Sequence, residues 1–114
     1  MISGIIYAIL DDGYFYIGST TQSILERMGL HISASKGKSK NSKFYKYINE
    51  VRKGWEDIIY ITLEEVECEH DTELRNKEYE YIKKNIKDPY CLNVLQSDKQ
   101  KYSINNAIKK RFNK

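Results

Sequence analysis

A glutamate interrupts the apolar face of a predicted helix. Leu74, Glu78 and Ile82 follow one another at intervals of four residues, which places all three on one helical face. Burying a carboxylate is costly unless it is paired or bound to a metal ion. Glu78 is therefore a candidate ligand for a hard divalent cation. The alternative is a glutamate that is satisfied by a hydrogen bond from a buried tyrosine hydroxyl.

Arg27 and His31 form a second candidate group. They are four residues apart on a predicted helix and border its apolar stripe, which consists of Ile24, Met28 and Ile32. A cation and an imidazole at the rim of a core can reach one phosphate together. The plainer interpretation is a surface arginine beside a half-buried histidine.

Tyr7 and Tyr16 form a third candidate group, on two adjacent predicted strands. Both side chains can face the same side of the hairpin. A tyrosine with a pKa of about 10 is a poor base at neutral pH, but a nearby metal ion and several cations would favour its phenolate. The plainer interpretation is core packing across the hairpin.

Three strands and a turn provide the predicted sheet. The strands cover residues 5–9, 14–17 and 58–66, and the third is expected to be buried on at least one face. Asp11-Asp12-Gly13 is a turn signal, so the first two strands are predicted to form an antiparallel hairpin. A short extended stretch is predicted over residues 90–95.

Four helices complete the prediction. The first begins at Ser23, which forms a capping box with Glu26, and an exposed loop follows over residues 35–42. The second helix ends at Gly54, the third begins at Asp71 or Thr72, and a last, basic helix begins at Ser103. The apolar face of the second helix is formed by Phe44, Tyr47, Ile48 and Val51.

The element order β-β-α-α-β-α predicts an α+β fold, in which helices flank a three-stranded antiparallel sheet. The 114 residues suffice for one compact domain. We expect this domain to cover residues 1–95. Residues 96–114 form a basic C-terminal extension that is helical and packs on, or trails from, the domain.

Charge is segregated along the chain. Residues 1–35 carry −2, residues 36–53 carry +6, residues 54–80 carry −8 and residues 81–114 carry +7, which gives the net charge of +3. Two basic blocks around an acidic block suit a protein that holds a polyanion and binds a cation nearby. A solvated surface of mixed sign would have the same composition.

Several short motifs, in this order, resemble those of the GIY-YIG nucleases. They are G-I-I-Y at residues 4–7, Y-I-G-S at 16–19, Arg27 with His31, K-N-S at 40–42, E-Y-E-Y-I at 78–82 and L-N-V at 92–94. The family's first motif usually reads G-I-Y, so the chain is aligned on Tyr7 and not on Gly4. The resemblance covers most of the chain.

The resemblance implies a metal-dependent endonuclease that hydrolyses DNA and leaves 5′-phosphate and 3′-hydroxyl ends. It makes Glu78 the one protein ligand of a Mg²⁺ or Mn²⁺ ion. Tyr7 would activate the attacking water, or accept its proton, and Tyr16 would position the water or the phosphate.

The resemblance also implies roles for three further residues. Arg27 would neutralise charge on the phosphorus in the transition state. His31 would bond the phosphate or assist proton transfer, and Asn93 would orient the site from a neighbouring strand.

Two basic segments are predicted to contact DNA phosphates. Binding through phosphates predicts an affinity that falls steeply with salt and a weak sequence specificity. For the second segment, a solvated and frayed terminus is the alternative. The residues are Lys36, Lys38, Lys40, Lys43 and Lys46 in the first segment, and Lys99, Lys101, Lys109, Lys110, Arg111 and Lys114 in the second.

Two other functions fit the same residues. One is a non-catalytic nucleic-acid-binding module that kept the fold, and the other is a domain that works only with a larger nuclease or repair partner. Cys68 and Cys91 have no metal-ligand spacing, so we expect reduced, packed thiols in an intracellular protein. No apolar run approaches the roughly 20 residues of a membrane span. The N-terminus lacks the basic segment with which a signal peptide begins, so we expect no signal peptide.

Overall fold

The computed structural model of the protein describes residues 1–37 and 40–94. Its sheet has three antiparallel strands in the order β2-β1-β3. The strands are β1, Ile2–Asp11; β2, Tyr14–Thr20; and β3, Ile59–Cys68. The predicted α+β class and element order are confirmed. The predicted extension over residues 96–114, with its helix from Ser103, lies outside the described residues.

The helices lie on both faces of the sheet. They are α1, Ile24–Lys36; α2, Lys43–Lys46, which continues as a π-helix over Tyr47–Arg52; and α3, Asp71–Asn85. One core cluster joins the sheet to α1, α2 and the π-helix, and contains Tyr7, Met28 and Phe44. A second cluster joins the opposite face to α3. Arg27 and His31, on α1, therefore lie on the opposite face of the sheet from Glu78, on α3.

The β1–β2 hairpin brings the two tyrosines together. Asp12 and Gly13 both have positive φ, at 49° and 84°, as in the tight turns that match strand twist. The register pairs Ile9 with Tyr16, and Tyr7 with Gly18. Since paired residues share a face and successive residues alternate, Tyr7 and Tyr16 face the same side, as predicted.

Helix ends agree with the sequence at α1 and differ at α3. The Ser23 hydroxyl accepts a hydrogen bond from the Glu26 amide at 3.2 Å, which confirms the predicted start of α1. At α3 the capping position is His70, without a side-chain bond, so the predicted cap at Asp71 or Thr72 is wrong by at least one residue. The Glu73 carboxylate accepts from the Glu69 amide at 3.0 Å instead.

The π-helix explains why one predicted core residue is exposed. Tyr47 and Ile48 are buried, but Val51 is 67% exposed. The wider π turn rotates Val51 away from the face that an α-helix would give it. The chain then turns at Lys53, whose left-handed φ of 64° comes directly before the predicted stop at Gly54.

The predicted exposed loop over residues 35–42 begins too early. Ser35 belongs to α1 and is only 1% exposed. Its hydroxyl accepts a bond from Trp55 Nε1 at 3.1 Å, and its carbonyl accepts one from Asn49 Nδ2 at 2.9 Å. With these partners, α1 continues through Ser35 and Lys36, two residues into the predicted loop.

The strand β3 is an edge strand that α3 covers at one end only. Val66 and Cys68 are buried, but Ile59 and Ile61 are 60% and 43% exposed. The expected burial of one face is therefore confined to the last part of the strand. Cys68 and Cys91 are both free and buried, as predicted. In the described part of the chain, no helix has the length and apolar character needed to cross a membrane.

Candidate active site

The outer edge of β2 is covered by residues that follow α3. The Leu92 amide donates to the Phe15 carbonyl at 2.8 Å. The Asn93 side chain then bonds both backbone groups of Ile17, accepting from the amide and donating to the carbonyl, each at 2.8 Å. An amide side chain thus replaces a strand residue at this edge. Asn93 lies beside β2 but in no strand, because the predicted extended stretch forms a bridge to β2 at Cys91 and not at Asn93. Its role in the site stays a prediction.

Glu78 of α3 lies against Ser19, which is two residues after Ile17 on β2. Leu74 and Ile82, one turn to either side of it, are buried in the cluster under α3. The Ser19 hydroxyl donates a hydrogen bond to the Glu78 carboxylate. Because β2 is an edge strand, a carboxylate that bonds Ser19 from the α3 side can also reach the space beyond this edge.

A cleft of about 430 Å³ lies at this edge and collects three of the predicted catalytic residues. It is lined by Tyr16, Glu78 and Asn93, together with Ser42, Lys43 and Tyr45 from the α2 region. The residues come from β2, α2, α3 and the chain after α3. Groups that start on opposite faces of the sheet therefore meet around its open edge.

Tyr16 is fixed by aromatic contacts. Its ring stacks on Phe44, with centroids 4.1 Å apart and planes 9° from parallel. Burial raises the pKa of the Tyr16 hydroxyl, and the charges of Tyr7 and Glu78 raise it further. Tyr16 is therefore a neutral hydrogen-bonding group at the wall of the cleft.

Tyr7 is completely buried behind Tyr16. Burial raises the pKa of its hydroxyl to about 12, although the Arg27 guanidinium beside it acts in the opposite direction. The sequence predicts that a nearby metal ion and several cations favour the phenolate. Within the described residues and without a metal ion, burial outweighs the charge of Arg27.

Gly18 makes room for the Tyr7 ring. A Cβ atom at Gly18 would stand 2.5 Å from Tyr7 Cζ, closer than packed atoms approach. Gly4, whose role the sequence left open, serves a similar purpose on the other face. There a Cβ atom would stand 2.6 Å from Leu74 Cδ2, so Gly4 lets α3 approach β1.

His31 lies inside the core and not at its rim. It is fully buried, with Nε2 at 2.6 Å from the Tyr7 hydroxyl and Nδ1 at 2.7 Å from the Tyr45 hydroxyl. Two tyrosine hydroxyls satisfy both ring nitrogens, so α1 can turn this polar residue inward. Burial and the charge of Arg27 lower the pKa of His31 to about 4, and the imidazole is neutral at physiological pH.

Arg27 points towards the site from α1. Its Nε is buried and has no hydrogen-bond partner among residues 1–37 and 40–94. The guanidinium interacts with Tyr7 and also with Glu78, where its charge opposes the burial that raises the pKa of both groups. It lines a second opening of about 300 Å³, next to Ser19 and Arg75. A buried donor without a partner is suited to an anionic ligand.

Glu78 is partly buried, and burial raises the pKa of its carboxyl despite the bond from Ser19 and the charge of Arg27. No group of three or more His, Cys, Asp and Glu side chains suited to a metal occurs in the described ranges. The donors at the cleft are one carboxylate and neutral oxygens. This set fits a hard cation that keeps several waters, and it does not fit a metal that needs a cage of protein ligands.

The structure describes four of the basic residues that are predicted to bind DNA. They are all exposed: Lys36, Lys40, Lys43 and Lys46. The Lys43 ammonium donates to the Cys91 carbonyl at 2.9 Å, so one of its donors holds the chain after α3 against α2. The others, namely Lys38, Lys99, Lys101, Lys109, Lys110, Arg111 and Lys114, lie outside the described residues.

Sequence reasoning missed three residues that shape the site: Gly18, Ser19 and Tyr45. Gly18 and Ser19 belong to the second motif, but only the register with Tyr7 and the approach of α3 give them contacts. Tyr45 follows Phe44 at the start of α2 and has no periodicity signal of its own.

The comparisons agree with this arrangement. A family model for the GIY-YIG catalytic domain matches residues 3–90, which is well over half of the chain. No curated protein and no solved structure gives a match. The matched stretch runs from β1 through α3 and contains Tyr7, Tyr16, Arg27 and Glu78. The chain therefore belongs to the GIY-YIG family of nucleases.

Proposed function

We propose that the chain is a metal-dependent endonuclease that hydrolyses DNA phosphodiesters at the β2-edge cleft and leaves 5′-phosphate and 3′-hydroxyl ends. One observation carries the proposal: Tyr16, Glu78 and Asn93 line one cleft, and the charge of Arg27 acts on Glu78 against the burial that raises the pKa of its carboxyl. An acid and phenols at one opening, with a cation close to the acid, match the needs of phosphoryl chemistry.

Glu78 would hold a Mg²⁺ or Mn²⁺ ion, because its carboxylate is the acidic group that lines this cleft. Ser19, through its hydrogen bond, orients the carboxylate. When bound, the ion would polarise a phosphate oxygen and stabilise the leaving 3′-oxygen.

Arg27 would bind the scissile phosphate. Its Nε is a buried donor without a partner in the described protein, and a phosphate oxygen would satisfy it. A guanidinium presents a planar fork of donors that suits phosphate. The same charge would neutralise the extra negative charge that develops in the transition state.

Tyr7 would first lose its own proton to solvent, and its phenolate would then accept the proton of the attacking water. Tyr16 would position that water. Tyr16 lines the cleft, whereas Tyr7 is completely buried. Water would reach the Tyr7 hydroxyl only after a movement of its neighbours. Catalytic hydrogen bonds commonly tighten only in the substrate complex.

The basic residues would hold the DNA backbone around this cleft. Lys36, Lys40 and Lys46 are exposed, and Lys40 directly precedes the cleft residues Asn41 and Ser42. Contacts of this kind bind phosphates in any sequence.

Nicking of supercoiled plasmid with Mg²⁺ or Mn²⁺ tests the function. The wild type should nick the plasmid, and Glu78→Gln should not, because the amide keeps the shape but loses the charge. Glu80→Gln is the matched control, since Glu80 is an exposed acid on the same helix. DNA ligase should seal the nicks, which requires 5′-phosphate and 3′-hydroxyl ends.

Three results would contradict parts of this proposal. Equal nicking by the wild type and Glu78→Gln would remove the metal site, and nicks that ligase cannot seal would refute the proposed ends. DNA binding without nicking, in either metal, would favour the non-catalytic module.

A further inference from the structure

Tyr45 lines the cleft, and its hydroxyl is joined to Tyr7 through His31. Its hydroxyl is 2.7 Å from His31 Nδ1, and the other ring nitrogen, Nε2, is 2.6 Å from the Tyr7 hydroxyl. All three side chains are buried, and His31 and Tyr7 have no exposed surface. The three side chains therefore form a buried series of hydrogen bonds, Tyr45–His31–Tyr7.

We propose that Tyr45 is a positioning residue: its hydroxyl donates to His31 Nδ1 and so holds His31 in the neutral form whose Nε2–H donates to the Tyr7 oxygen. This inference rests on the proposed function, in which Tyr7 accepts the proton of the attacking water. A neutral imidazole has one N–H and one acceptor nitrogen. The bond at one nitrogen therefore decides what the other nitrogen offers.

The opposite arrangement conflicts with the task of Tyr7. There the Tyr7 hydroxyl would donate to Nε2, and gaining a proton from water would require Tyr7 to pass its own proton to His31. Burial and Arg27 lower the pKa of His31 to about 4, so a cationic His31 is a poor proton store at neutral pH. With Nε2–H as donor, the Tyr7 oxygen instead faces two donors, His31 and Arg27, which favour its phenolate. The Tyr7 proton would leave to solvent before the reaction, and the phenolate would then take one proton from the attacking water.

Tyr45 is held firmly enough for this role. It lies in the first turn of α2, where its amide donates to the Ser42 hydroxyl at 3.3 Å. Its ring contacts the rings of His31, Phe44 and Trp55, with centroids between 5.3 and 6.3 Å apart. The hydroxyl therefore has a fixed direction towards Nδ1.

Two measurements on Tyr45→Phe test the proposal. The first is the nitrogen NMR spectrum of the His31 ring, which reports the protonated nitrogen. The wild type should show an unprotonated Nδ1 and a protonated Nε2, and Tyr45→Phe should change the Nδ1 signal or mix the two forms. The second is plasmid nicking, in which kcat should fall about 10- to 100-fold, as for other supporting partners, with KM little changed.

Tyr47→Phe is the matched control. Tyr47 is equally buried on the continuing helix, but its hydroxyl bonds Asp11 at 2.5 Å and does not contact His31. This variant should keep the wild-type His31 spectrum and kcat. Equal loss of kcat in both variants would reduce Tyr45 to a packing residue.

The remaining outcomes separate this inference from the function on which it rests. A protonated Nδ1 in the wild type would refute the assigned form of His31, whatever the activity. A wild type that does not nick DNA would refute the proposed function. It would also remove the catalytic purpose of Tyr45, even if the spectrum showed the assigned form. Unchanged kcat in Tyr45→Phe would overturn its role while leaving the nuclease proposal intact.

Discussion

The Tyr7 ring lies directly over Gly18, in the space that any larger residue would fill. A Cβ atom at Gly18 would stand 2.5 Å from Tyr7 Cζ. The two residues pair across the β1–β2 register, and Tyr7 bonds His31 from this position. The glycine of the second motif therefore sets the position of the tyrosine of the first.

Gly18→Ala should destabilise the protein and lower its activity. The added methyl group must displace the Tyr7 ring or the backbone, and overpacking of this kind costs about 1–3 kcal/mol. Chemical denaturation measures the loss, and nicking by the folded variant measures the displacement of Tyr7. Gly29→Ala is the control, because a Cβ there meets nothing within 4 Å and helix propensity should stabilise it by about 0.5–1 kcal/mol. Equal stability changes in both variants would show that Tyr7 is not confined by Gly18.

Mg²⁺ or Mn²⁺ should raise the melting temperature of the wild type but not that of Glu78→Gln. An ion that binds the folded state alone stabilises it by about 2.7 kcal/mol at a concentration of about 100 times Kd. Differential scanning fluorimetry over a metal titration gives the shift. Glu80→Gln should behave as the wild type, since Glu80 is exposed on the same helix. A shift that persists in Glu78→Gln would place the bound ion elsewhere.

Stability should fall as the pH is lowered from about 6.5 to about 4, partly because of His31. The unfolded histidine gains a proton near its ordinary pKa of 6.5, whereas the folded one stays neutral down to about 4. The unfolded state therefore binds more protons in this range, and the loss amounts to about 3 kcal/mol. Urea denaturation at a series of pH values, for the wild type and His31→Gln, isolates this contribution.

His70→Gln is the control for that pH series, because His70 is exposed at the start of α3. Its pH profile should follow that of the wild type, whereas the profile of His31→Gln should be flatter. Parallel profiles for the wild type and His31→Gln would show that His31 is protonated without cost.

Arg27→Ala should lower kcat more than it lowers the affinity for DNA. Loss of one preorganised donor to the transition state costs about 100- to 1000-fold in rate, while many phosphate contacts share the binding of DNA. The kcat of Arg27→Lys should lie between those of the wild type and Arg27→Ala, because lysine keeps the charge and loses the planar fork. Single-turnover nicking and DNA binding under the same salt conditions give the two quantities. Weaker binding with an unchanged rate would assign Arg27 to binding alone.

The affinity for DNA should fall with salt, and Lys40→Gln should make this dependence weaker. Each phosphate contact that is lost lowers the slope of log K against log salt by about 0.9. Lys77→Gln is the control of equal charge, since Lys77 of α3 pairs with Glu64 of β3 at 3.2 Å. Equal slopes for Lys40→Gln and the wild type would exclude Lys40 from the DNA interface.

Local patterns in the sequence were enough for the order of the elements, the start of α1 and the common face of Tyr7 and Tyr16. The same is true of Glu78 within the apolar face of α3. Each of these features depends on residues that are near in the chain or on the short turn of a hairpin. Periodicity, capping and turn chemistry act over such distances, so they can be read without the fold.

Packing between distant segments decided the rest. His31 moved from the rim to the core because Tyr7 and Tyr45, which are 24 and 14 positions away in the chain, satisfy its two nitrogens. Glu78 and Tyr16 start on opposite faces of the sheet and meet only because β2 is an edge strand. A hydrogen-bond partner and a strand's place in its sheet are properties of the assembled fold, and a single sequence without its fold does not contain them.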